Sequence, residues 1–164
     1  MAKETTNRKF MVISYSITFL FIVQIILCLF FYNTLGIDLL AYTGLIILIL
    51  GIISLWKSQK DFKAAIKKED GKNWLDTTNV VDSGIYSMIR HPMYLSFMLM
   101  ALGLIFISQY WLVALIGISR ILMLYYVMIE EEKMDLMKLG PVYEEYMKRV
   151  PRLNIFRCIL KIND

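Results

Sequence analysis

Residues 10–32 read FMVISYSITFLFIVQIILCLFFY, a run without a single charged side chain. A bilayer core needs about 20 apolar residues of helix to cross it, so this run is long enough to span. It is also too long, and too poor in small residues at its end, for a cleaved signal sequence, so a retained helix is expected. Residues 33–38 break it, with Gly36 as the turn residue. Residues 39–56 then run back, and Gly44 and Gly51 fall seven apart on one face, where small residues let helices pack closely. Pro92 suits a first helical turn. After it, residues 93–107 and 112–129 form two apolar helices around a short turn at 108–111. The first of these is short for a span, so the hairpin either tilts or recruits residues 87–91 as an extension.

These runs predict an all-α, polytopic membrane protein with four transmembrane helices, the last two a tight hairpin, and a helical cytoplasmic C-terminal tail. The chain reads as one membrane domain, 1–164. Two N-terminal membrane helices occupy 1–56, a cytoplasmic loop 57–91, the hairpin 92–129 and the tail 130–164. Within the loop, Phe62 and Ile66 stand four apart among lysines, which predicts a short surface helix over 57–68. In the tail, Gly140-Pro141 should interrupt a charged helix running to residue 149.

Composition agrees. Hydrophobic residues make up 58% of the chain, more than a soluble domain of this length can bury. All of the 18 Lys and Arg but Arg120 lie outside the apolar runs. Three precede residue 10, seven lie in the central loop and seven follow residue 129, whereas 33–38 and 108–111 hold none. The positive-inside rule therefore places both termini and the central loop in the cytoplasm. The net charge of +4 suits an anionic leaflet of membrane lipids. Nucleic acid is a poor partner, because the basic residues flank apolar spans and form no single polar domain. Cys28 and Cys158 are badly placed for a disulfide, and Cys158 lies too far from the last residue for a prenylation box.

Three features can carry chemistry. Gly84-Ile85-Tyr86-Ser87-Met88-Ile89-Arg90-His91-Pro92-Met93-Tyr94 brings the only histidine to a membrane-helix entrance. It reads either as an interfacial anchor or as a site. Glu130-Glu131-Glu132 closes the last apolar run, where carboxylates oppose the helix dipole and repel one another. This is either a solvated boundary or the seat of a cationic ligand. Arg120 is the only charge inside an apolar run, and a charge at that depth faces a cavity or a partner. It shares a helical face with Leu124, Val127 and Glu131, but eleven residues of helix separate it from Glu131 by roughly 16 Å. Gln24, a bound ligand or snorkelling to the far interface could each complete it. With one histidine and two distant cysteines no zinc-type cluster is expected, and both a Walker loop and a GxGxxG fingerprint are missing.

Taken together, the chain resembles the isoprenylcysteine carboxyl methyltransferase family, relatives of the phospholipid methyltransferases. The resemblance is carried by Gly84, Tyr86, Arg90-His91-Pro92 and Tyr94, then Glu131-Glu132, Leu139-Gly140, Tyr143, Tyr146 and Val150-Pro151-Arg152. It covers roughly residues 75–152. It implies S-adenosylmethionine as cofactor, in a pocket between the last two membrane helices and the tail. Arg90, His91, Tyr94, Glu131 and Glu132 would be cofactor-binding residues, with Glu131 and Arg120 as catalytic candidates. The implied acceptor is lipophilic and arrives from the bilayer.

Departures from the family pattern bear on that acceptor. Ile85 replaces a proline, Ser96 a glycine, and Val127 stands where many prenylcysteine methyltransferases carry an arginine. Arg120 lies two turns earlier on the same face. A prenylcysteine-like carboxylate, already ionised, needs a cation but no base. A phospholipid amine needs a base, for which His91 or a glutamate is available. A membrane reductase using NADPH and a non-enzymatic membrane protein are the other classes. The acidic run would repel a phosphorylated nucleotide.

Overall fold

Pro92 does open a helix, since its fixed φ is already helical and its missing N–H costs nothing there. The computed structural model describes residues 2–67 and 80–153, with side chains from residue 11 onward. Lys68, Lys72, Cys158 and the end of the expected tail lie outside the described residues. Among the described residues five α-helices follow in order: α1 Ala2–Phe30, α2 Asp38–Lys67, α3 Pro92–Ser108, α4 Trp111–Leu139 and α5 Pro141–Arg149. No strand occurs among the described residues.

Among the described residues three segments are long and apolar enough to cross a membrane: Met11–Phe30, Asp38–Ile66 and Trp111–Leu139. The chain is an integral membrane protein. Four spans were expected. The difference is α3, apolar throughout but 17 residues long, or about 25 Å at the helical rise. Residues 88–91 stay outside the helix, so the helical extension does not form. The separate surface helix is also absent. No glycine or proline interrupts residues 52–67, so α2 simply continues past the end of its apolar stretch. Gly140, with φ +58°, separates α4 from α5 where a break was expected.

The chain forms two units, one of Met1–Ile52 with Ser96–Met128 and one of Ile53–Leu95 with Ile129–Asp164. In the first, α2 and α3 touch backbone to backbone. A Cβ built on Gly44 would lie 2.7 Å from the Gly103 carbonyl oxygen, and one on Gly103 would lie 2.8 Å from that of Gly44. Gly51 is likewise closed in by Met100 and Ser96. The expected glycine face is thus the α2–α3 contact.

Polar groups tie α1 to the hairpin of the same unit. Gln24 is fully buried. Its amide donates to the Ala101 carbonyl at 3.1 Å and to that of Val113 at 3.5 Å. The two loops without lysine or arginine are joined to each other. Asn33 and Thr34 N–H groups donate to the Ile107 and Ser108 carbonyls, both at 3.0 Å. The Gln109 side chain brackets Ile37, donating to its carbonyl at 2.9 Å and accepting from its N–H at 3.3 Å. Phe31 stacks on Tyr110 with centroids 4.1 Å apart. Leu29, Phe30, Leu39 and Leu122 remain exposed, as lipid-facing side chains should be.

Candidate active site

The second unit builds its site from a glycine outward. Gly84 has φ +62°, the left-handed region that favours glycine. The Asp61 carboxylate sits against the position a Cβ would take. From there its Oδ2 accepts the Ile85 N–H at 2.9 Å. This pins the entry of a 3-10 turn, Gly84–Ser87, whose Tyr86 ring lies 5.9 Å from Phe62. The Tyr146 hydroxyl donates to the Tyr86 carbonyl at 2.6 Å, anchoring α5 to the turn. Tyr143, Tyr146 and Val150 form a small buried core with Val80, Leu139 and Met147 packed against it.

Beyond the turn the chain is extended. Arg90 N–H donates to the Pro151 carbonyl at 3.1 Å, and His91 N–H to the Arg152 carbonyl at 3.4 Å. The two motif blocks recognised in the sequence therefore meet through their backbones. Their side chains meet as well, on Glu132. Its Oε1 lies 3.1 Å from His91 Nε2 and 3.1 Å from Arg90 Nη2. Its Oε2 accepts from Arg152 Nε at 2.9 Å and from Arg152 Nη2. Glu132 is buried, and both of its oxygens are engaged. A buried carboxylate is tolerated only when it is paired and hydrogen-bonded in this way.

Beside this cluster lies a cavity of about 340 Å³. Tyr86, Arg90, His91, Tyr94, Glu131 and Asp135 are among its lining, with Phe62, Val80 and Met93 as apolar wall. Glu132 is not part of the lining. Tyr94 hydrogen-bonds the Glu131 carboxylate, and Tyr143 that of Asp135. Four polar atoms on these walls are buried without a hydrogen-bond partner among the described residues: Glu131 Oε2, Arg90 Nε, Arg90 Nη1 and the Tyr86 hydroxyl. Burial, and then the charges of Glu131 and Asp61, push the Tyr86 phenol up, so it remains a donor. Burial is also the leading cause that raises Tyr143 and Tyr146.

Five of the residues singled out in the sequence are thus gathered in this unit: Arg90, His91, Tyr94, Glu131 and Glu132. Arg120 belongs to the first unit, 1% exposed. It donates through Nη1 to Gln24 Oε1 and lies 4.3 Å from the Phe21 ring centroid. The neutral partner anticipated for it is present. Sequence reasoning passed over Asp135, although it stands one turn beyond Glu131 and so shares its face. It also gave Arg152 no role. The capping by Asp61 carries no sequence signal, since 23 residues separate it from Gly84.

The model of the isoprenylcysteine carboxyl methyltransferase family matches residues 40–138. Neither the curated proteins nor the solved structures returned a match to the chain.

Proposed function

The chain belongs to the isoprenylcysteine carboxyl methyltransferase family, a membrane methyltransferase family, and on that premise we propose that it methylates a lipophilic acceptor with S-adenosylmethionine as donor. The observation that carries the proposal is the set of unpaired atoms on the cavity wall. An acceptor, Glu131 Oε2, accompanies three donors, Arg90 Nε and Nη1 and the Tyr86 hydroxyl. Desolvated polar groups without partners are costly, and this set complements an amino-acid zwitterion. Glu131 would hold the ammonium, Arg90 and Tyr86 the carboxylate. The cavity falls within the usual size of small-molecule sites. The residues present therefore fit the cofactor.

When bound, S-adenosylmethionine supplies a methyl group already activated on a sulfonium. The chain's own contribution is alignment and the exclusion of water. Glu131, oriented by Tyr94, provides negative charge beside a cationic donor. Glu132 takes no direct part; it spends both oxygens holding Arg90, His91 and Arg152, and so fixes the cavity wall. Phe62, Val80 and Met93 keep that wall dry. The placement of lysines and arginines supports a cytoplasmic cavity.

For Arg120 we favour a structural role over acceptor binding, because its Nη1 donates to Gln24 and its guanidinium lies over the Phe21 ring, with only Nε left without a partner among the described residues. The test is transfer of labelled methyl from S-adenosylmethionine into organic-extractable material by membranes holding the protein. Label above that of membranes without the protein supports the reading. No label, with consumption of NADPH instead, would transfer the site to the reductase class.

A further inference from the structure

We infer that Asp135 holds the ribose of the methyl donor, so that one face of α4 reads the donor along its length. The inference rests on the methyltransferase reading above and deepens it. Glu131, Asp135 and Leu139 all line the cavity. At successive spacings of four they stand on one face of α4, each about 6 Å along the axis from the last. The face begins with a carboxylate beside the apolar stretch, continues with a second carboxylate and ends on a leucine. Phe62 and Val80 extend its apolar end within the same lining.

S-adenosylmethionine carries its groups in a matching order: an ammonium, a ribose with two neighbouring hydroxyls, and an apolar-faced base. The carbons and sulfur between the ammonium and the ribose ring span roughly 6–7 Å at ordinary bond lengths. With Glu131 on the ammonium, Asp135 falls beside the ribose and Leu139 beside the base. An ionised carboxylate only accepts, and it offers about four lone-pair sites. Tyr143 donates to Asp135 and uses one of them. Two vicinal hydroxyls are donors that suit the capacity left, and hydrogen bonds to an ionised acceptor are the stronger kind. A carboxylate on a ribose hydroxyl is also how dinucleotide sites of an unrelated fold hold their ligand.

Folding alone gives Asp135 little reason to be acidic. Like charges four apart on a helix repel, and Glu131 is four residues away. α4 ends at Leu139, so the carboxylate also opposes the helix dipole in the last turns. Glu132 shows the contrast, since it engages three basic side chains and holds the wall together. Asp135 instead faces the cavity, where a donor-rich ligand offsets its charge.

The test is calorimetry on the detergent-purified full chain with two ligands, S-adenosylhomocysteine and its 2′,3′-dideoxy analogue. Native protein should bind the ribose form at least about 10-fold more tightly. Asp135→Asn keeps an oxygen for Tyr143 and removes the charge. It should weaken S-adenosylhomocysteine by about 10- to 100-fold and bind the dideoxy analogue as native protein does. Its melting temperature without ligand should be unchanged or higher, because the repulsion from Glu131 is relieved. An equal loss for both ligands would overturn the inference and assign Asp135 to the ammonium or to the fold. Native protein that binds both ligands alike would overturn it too, while leaving the methyltransferase reading in place. Should Asp135→Asn fail to fold, Asp135→Ser read on the same two ligands decides. Native protein that is folded and binds neither ligand would remove the methyltransferase reading, and the inference with it.

Discussion

The backbone N–H of Arg90 donates to the carbonyl of Pro151 across 3.1 Å, joining two segments 61 residues apart in the chain. This contact and its neighbour at His91 bring three basic side chains onto one carboxylate, that of Glu132. The cavity wall is therefore as firm as that ion cluster. Glu131, the residue before it, is left with an oxygen that has no hydrogen-bond partner among the described residues. Adjacent glutamates thus divide the work, one structural and one facing the cavity.

Glu132→Ala should destabilise the protein by about 3 kcal/mol or more, because it strands buried cations. Thermal unfolding in detergent reads the loss. Glu131→Gln should leave the melting temperature nearly unchanged, since among the described residues no ion pair depends on it.

Gly84→Ala should cost about 1–3 kcal/mol, as an L side chain is strained at this φ and its Cβ would meet the Asp61 carboxylate. Part of that cost is the collision and part is the backbone. In an Asp61→Ala background the collision is gone, so the double variant should lose less than the sum of the two single losses. Additive losses would show that Asp61 does not pack on the turn.

Arg120→Leu leaves the Gln24 amide oxygen buried without its donor, a penalty of about 1–3 kcal/mol. Adding Gln24→Leu removes the second polar partner and should recover much of it, since paired apolar replacements of a buried polar contact are often neutral. Equilibrium unfolding of the two singles and the double measures the coupling.

Gly103→Leu should separate α2 from α3 where their backbones touch, with a loss of at least about 1–3 kcal/mol from overpacking. The same substitution at Gly36, where nothing lies within 4 Å of a built Cβ, should show only the cost of its positive φ.

The sequence made legible what depends on local pattern. Apolar runs announced the helices, Gly44 and Gly51 the close-packed face, Pro92 a helix start and Gly140-Pro141 a break. Gln24 was legible as a partner for Arg120 because few polar groups occur in the apolar runs. The reach of α2 to Lys67 was not legible, because hydropathy marks where the apolar stretch ends and not where the helix does. Nor were the Asp61 cap and the grip of Arg152 on Glu132, which are set by tertiary geometry. The division between Glu131 and Glu132 was equally hidden. Neighbouring residues on a helix point about 100° apart, and only the fold decides which one meets the arginines.

The most direct measurement is S-adenosylmethionine binding to the detergent-purified protein by calorimetry, beside its Glu131→Gln variant and with NADPH as comparison. Native protein should bind S-adenosylmethionine and not NADPH. Loss of the charged acceptor should weaken binding by roughly 10- to 100-fold, the equivalent of a charge-assisted hydrogen bond, with folding intact. Equal affinity in Glu131→Gln, or no binding by the folded native protein, would contradict the assignment of the cavity.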